Sequence, residues 1–144
     1  MTLADGALLT FRVVGALWLL GGAFLIRTLM TFGKIERDLE RVLPDAAHVA
    51  DDRGRDRWML AGGVFTALAG LCMLIGTRFA VVALAVLIIH QLAYFVRQRR
   101  RELAAVDMDD QAAARPANTT IRAFYFSLIM AVLGAWLLGQ GALR

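Results

Sequence analysis

Residues 58–96 read WMLAGGVFTALAGLCMLIGTRFAVVALAVLIIHQLAYFV, and Arg78 is the single charged residue in that stretch. Trp58–Thr77 provides 20 uncharged positions and Phe79–Val96 provides 18. A helix needs about 20 residues to cross about 30 Å of hydrocarbon. The two runs therefore predict a pair of membrane-spanning helices joined by a tight turn at Thr77-Arg78.

Working outward, residues 123–143 add 21 more uncharged positions. The first apolar segment is interrupted, because Arg12 and Arg27 leave only 14 residues between them. At about 1.5 Å per residue that interval covers about 21 Å, too short for a bilayer. It becomes long enough if both guanidinium groups extend toward headgroups. The chain thus reads as one all-α, polytopic membrane domain with four transmembrane helices, at about 7–32, 58–77, 79–96 and 121–142. Connections 33–57 and 97–120 join them. Composition agrees: 59% of the 144 residues are hydrophobic, 19% are charged, and mean hydropathy is +0.61. Soluble domains carry about 25% charged residues. A secretory leader is disfavoured, since the chain opens on Asp5 rather than a basic cluster and no small-residue cleavage motif follows.

Thirteen of the 16 basic residues fall on one side of these spans. Arg27, Lys34, Arg37, Arg41, Arg53, Arg55 and Arg57 follow the first; Arg97, Arg99, Arg100, Arg101, Arg115 and Arg122 follow the third. Only Arg12, Arg78 and Arg144 lie opposite. The positive-inside rule then places both connections in the cytoplasm and both termini outside. Fifteen arginines against one lysine, with abundant alanine, point to a GC-rich bacterium and its inner membrane. Lys34–Leu43 keeps an apolar face at helical spacing and reads as a stalk that ends before Pro44. Asp51–Arg57 reads as a solvated loop, Arg97–Val106 as a helical extension, and Met108–Ala117 as a flexible link. Asn118, Thr119 or Thr120 is the expected cap of the fourth helix.

The predicted spans hold no Asp or Glu, which argues against cation-coupled transport. One cysteine excludes a disulfide framework, and His48 and His90 fall in different compartments, so neither a metal site nor a bound cofactor is expected. Ser127 is the sole serine, and no phosphate-binding glycine motif occurs. Arg27 reads mainly as a snorkelling side chain, with an anion site as the sharper alternative. His90 and Tyr94, four residues apart, share a helix face, and Gln91 points about 100° away. They suit interhelical hydrogen bonding or a quinone- or lipid-like ligand. Arg97, Arg99, Arg100 and Arg101 suit anionic lipid headgroups rather than nucleic acid. Gly62, Thr66 and Gly70, and likewise Ala131, Ala135 and Gly139, recur every four positions and suit close helix packing.

Two local resemblances accompany these patterns. Gly62-Gly63, Leu71 and Gly76-Thr77-Arg78-Phe79-Ala80 resemble the junction of the second and third helices in DoxX-like membrane proteins, although the first connection here is highly charged. His90-Gln91-Leu92-Ala93-Tyr94 and Ile121-Arg122-Ala123-Phe124 are similar to the third and fourth helices of MAPEG glutathione-dependent enzymes. That resemblance implies a thiolate-stabilising Arg122 and a glutathione site including His90 and Tyr94. The family's helix-two Asn and Glu have no counterpart in Trp58–Val64.

The leading functional expectation is a non-catalytic accessory or assembly subunit of a larger membrane complex, or a self-associating bundle. The alternative is a membrane enzyme or binding protein for a quinone, lipid or glutathione conjugate. Its site would use His90, Tyr94, Arg122 and Arg27 at the cytoplasmic leaflet.

Overall fold

In the computed structural model of the protein, the first helix begins at a reciprocal cap. The Thr2 backbone N–H donates to the Asp5 carboxylate at 2.8 Å, and the Asp5 N–H donates to the Thr2 hydroxyl at 3.2 Å. This is a capping box with Asp in the place of the usual Glu. It starts α1 at Leu3, several residues earlier than hydropathy alone indicates, and α1 runs to Val42. Its 40 residues extend about 60 Å at about 1.5 Å each, so the helix outruns a bilayer and includes the expected stalk. The structure describes residues 2–42, 50–105, 108, 111 and 115–144, with side chains over 2–35, 57–105, 108, 111 and 115–144. Pro44, His48 and half of the expected link at 108–117 lie outside the described residues.

Helix α2 spans Ala50–Ile75, α3 spans Phe79–Ala104 and α4 spans Asn118–Gly139. The mixed-charge stretch 51–57 is therefore helical rather than a loop. Its order, with Asp51 and Asp52 ahead of the arginines, favours a helix start because acids complement the positive end of the helix dipole. The expected cap of α4 is also corrected. Asn118, Thr119 and Thr120 lie inside the first turn, and Ala117 is the cap residue, with no side-chain hydrogen bond. Its carbonyl accepts from the N–H groups of Thr120 and Ile121 instead.

Two glycines stop helices in the same way. Gly76 (φ +76°) ends α2, with Thr77 N–H bonding Cys72 O and Gly76 N–H bonding Met73 O. Gly141 (φ +68°) ends α4, with Ala142 N–H on Leu137 O and Gly141 N–H on Leu138 O. Both are Schellman motifs, which need a left-handed residue that glycine adopts without a Cβ penalty.

The helices close a ring in which α1 packs on α2, α2 on α3, α3 on α4, and α4 on α1. All four neighbouring pairs are antiparallel. Gly15 of α1 meets Gly70 and Leu74, whereas Gly22 meets Gly63 and Ala67. The start of α1, the α2–α3 turn and the end of α4 share one end of the bundle. There Arg78 N–H donates to Arg144 O, and Arg144 N–H donates to Gly76 O. Phe11 is wholly buried, against Gly134 of α4 and in one core cluster with Met73, Leu84 and Leu137. Outward positions stay apolar: Phe24, Phe32, Ile89 and Val132 are all exposed. Four helices are long and apolar enough to cross a membrane, over Leu3–Ile35, Arg57–Ile75, Phe79–Ala104 and Asn118–Gly139.

Candidate functional site

The α1–α2 seam is tight enough for backbones to touch. A Cβ on Gly15 would stand 2.6 Å from the Leu74 nitrogen, and one on Gly70 would stand 2.5 Å from the Leu19 nitrogen. The paired glycines are seven apart on each helix, 15 and 22 against 63 and 70. A seven-residue repeat keeps one seam facing its partner, in the manner of left-handed helix pairs. Over the eight residues from Gly62 to Gly70 the four-residue stripe drifts about 80° around the helix. Gly70 therefore lies in the α1 seam, whereas Gly62 faces His90 of α3. Thr66 donates its hydroxyl hydrogen to the Gly62 carbonyl at 2.8 Å. On α4, Ala131 packs against the core, while Ala135 and Gly139 are exposed.

Away from that seam, toward the charged ends of α2 and α3, the helices frame an open cavity of about 260 Å³. From α2 come Trp58, Gly62 and Thr66, and from α3 come Leu87, His90, Gln91 and Tyr94. Leu25 of α1 and Thr120 of α4 complete two further sides. Among the described residues, no Arg, Lys, Asp or Glu lines it. Gln91 precedes Arg97 by six residues, which sets it about 9 Å along the helix from the first basic residue.

Its polar groups are few. His90 stacks on Trp58, with ring centroids 4.9 Å apart and planes 24° apart, and Phe65 is tilted against it at 5.1 Å. His90 Nε2 lies 3.2 Å from the Trp58 carbonyl oxygen. A carbonyl only accepts, so Nε2 carries the hydrogen of this contact. Tyr94 Oη accepts from the Nε2 amide of Gln98 at 3.0 Å, which leaves the phenolic hydrogen available to donate. Gln91 Oε1 is buried and has no hydrogen-bond partner. An unpaired buried acceptor costs about 1–3 kcal/mol.

The structure brings His90 and Tyr94 together at this cavity and adds Gln91, which helical spacing had set on another face. The cavity is wide enough to span more than one face of α3. Arg122 is exposed on α4 and Arg27 is exposed on α1, and neither lines the cavity. Arg97 lies over the Trp58 ring at 5.6 Å, a cation–π contact at the edge of the site. Arg101 joins Trp58, Tyr94, Arg97 and Gln98 around a recess of about 10 Å³, room for one water. Arg99 pairs with Glu102 at 3.0 Å, Arg115 approaches the same carboxylate at 3.3 Å, and Arg100 is exposed. Trp58 was readable in the sequence only as an interface aromatic. Nothing local marks its packing against a histidine 32 positions away.

Comparison of the chain with protein-family models, with curated proteins and with solved structures yields no match. The DoxX-like and MAPEG-like stretches thus remain local resemblances.

Proposed function

We propose that this chain is a multi-pass protein of the bacterial inner membrane that binds a small lipophilic molecule between its helices, without chemistry of its own. The reading rests on one observation: a cavity of about 260 Å³ between the helices brings together Trp58, His90, Gln91 and Tyr94, and none of the described residues that line it is charged. Membrane insertion is supported by the outward apolar surface, since Phe24 and Val132 are each 72% exposed. Such a surface is stable against lipid and not against water. Both termini face outward in this reading, because the basic residues gather at the opposite end. Binding rather than turnover is supported by the lining, in which neither Cys72 nor Ser127 takes part. Ser127 is itself buried and bonded to the Ala123 carbonyl at 2.9 Å.

Native mass spectrometry of gently extracted protein tests this. The wild type should retain a small-molecule adduct, and Gly62→Leu should lose it. A Cβ at Gly62 already lies 3.4 Å from His90 Nε2, so a larger side chain fills the cavity. Bare protein in both samples would remove the reading.

A second reading, an accessory or self-associating subunit, draws on the outward face of α4. Ala135 is exposed there, and Gly139 has open space where its Cβ would be. The same spectra report it as a dimer or as a co-purifying partner.

A further inference from the structure

We infer that the cavity takes a hydrocarbon chain of an anionic amphiphile, whose carboxylate or phosphate head sits at Arg97. The inference rests on the binding reading above and names its ligand class. One face of α3 carries it. Leu87, His90, Tyr94, Arg97 and Arg101 follow one another at intervals of three and four, the spacing that keeps side chains in line on a helix. Leu87, His90 and Tyr94 line the cavity, while Tyr94, Arg97 and Arg101 line the small recess beside it. Trp58 and Tyr94 belong to both hollows, so the two adjoin. From Leu87 to Arg101, about 21 Å along the helix, this face passes from aliphatic to neutral polar to cationic.

The charge at that end is placed for a head group. Arg97 and Arg101 are partly buried at the recess, whereas Arg99 and Arg100 are exposed. Among the described residues Arg97 makes a cation–π contact with Trp58 and no ion pair, and the Glu102 carboxylate is engaged by Arg99 and Arg115. A guanidinium over a ring keeps its N–H edge for a carboxylate or phosphate. The recess, at about 10 Å³, admits one oxygen of such a head, and the rest stays at its mouth. No charge then enters the uncharged cavity, where burying one without a partner would be costly. At about 260 Å³ the cavity falls just short of the range of about 300–1,000 Å³ for drug-sized ligands, which suits one chain rather than two.

The test uses the full chain in phosphatidylcholine nanodiscs at alkaline pH, with dodecanoate and methyl dodecanoate as probes. Equilibrium dialysis measures bound probe after subtraction of partition into empty nanodiscs of the same composition. Relative to its concentration in the bilayer, dodecanoate should bind the wild type about tenfold more tightly than the ester, as expected for hydrogen bonds to a charged head. Arg97→Gln should bring the two affinities together while retaining ester binding, which shows that the cavity is intact. Arg97→Lys and Arg100→Gln should keep most of the preference. Equal binding of both probes by the wild type overturns the anionic head and leaves the binding reading standing. A preference that survives in Arg97→Gln, or falls as far in Arg100→Gln, overturns the assignment to Arg97. Saturable binding of neither probe overturns the inference together with the binding reading. Phosphatidylglycerol mixed into the nanodiscs identifies the source: displaced dodecanoate assigns the site to an anionic lipid of the bilayer, and retained dodecanoate assigns it to a free single-chain acid.

Discussion

His90 is tied to Trp58 twice, through a stack of the two rings at 4.9 Å and through Nε2 at 3.2 Å from the Trp58 carbonyl. The pair joins α2 to α3 at the cavity wall, so it contributes both to helix association and to the shape of the site. His90→Phe keeps a ring for the stack and removes the donor. The expected loss is about 0.6 kcal/mol, typical of interhelical hydrogen bonds in membranes. His90→Ala removes the stack as well, adding about 1 kcal/mol. Unfolding by dodecyl sulfate in mixed micelles, followed by helicity, should rank wild type, His90→Phe and His90→Ala in that order.

The glycine seam predicts a sharp positional contrast. Gly15→Leu and Gly70→Leu place atoms where backbone already sits within 2.6 Å or less of a Cβ. They should destabilise the bundle by about 3 kcal/mol or more, the upper range for overpacked sites. Gly21→Ala and Gly139→Ala meet nothing within 4 Å and should leave stability unchanged or raised. Equal effects at Gly70 and Gly139, read in the same unfolding assay, would remove the close α1–α2 approach.

Gly76 and Gly141 both hold positive φ, yet they differ in surroundings. A Cβ on Gly76 would also stand 3.1 Å from the Arg12 guanidinium, while one on Gly141 meets open space. Gly141→Ala should lose about 1 kcal/mol from the left-handed backbone alone. Gly76→Ala should lose more, and shortening Arg12 to Ala should recover part of the difference. Thermal unfolding of the three variants checks the order.

Orientation is open to thiol labelling in a Cys72→Ala background. Gln140→Cys, at the exposed end of α4, should react with a membrane-impermeant maleimide in spheroplasts with an intact inner membrane. Leu103→Cys, 72% exposed on the far end of α3, should react only after permeabilisation. The reverse pattern overturns the placement of both termini outside.

Local chemistry determined much of this protein before any packing is considered. Apolar run length set the four helices, because backbone polar groups in hydrocarbon must be satisfied within the segment. Pro44 and the spacing of Ile35, Leu39, Val42 and Leu43 foretold a first helix that outlasts its span. Two local signals were present but easily passed over: the Thr2–Asp5 cap, and the acid-then-base order that starts α2 at Ala50.

Which faces meet was settled by tertiary packing alone. Small residues at every fourth position are visible in one dimension, but the seam uses every seventh, because two rigid cylinders can touch closely along only one line. The cavity is the same kind of property. His90 and Tyr94 carry their own signal as polar residues in an apolar run. Trp58, Gln91 and Thr120 become partners only when α2, α3 and α4 are set side by side, at separations no helical period encodes. The sequence determined what each helix is; the volume left between helices came from how they pack.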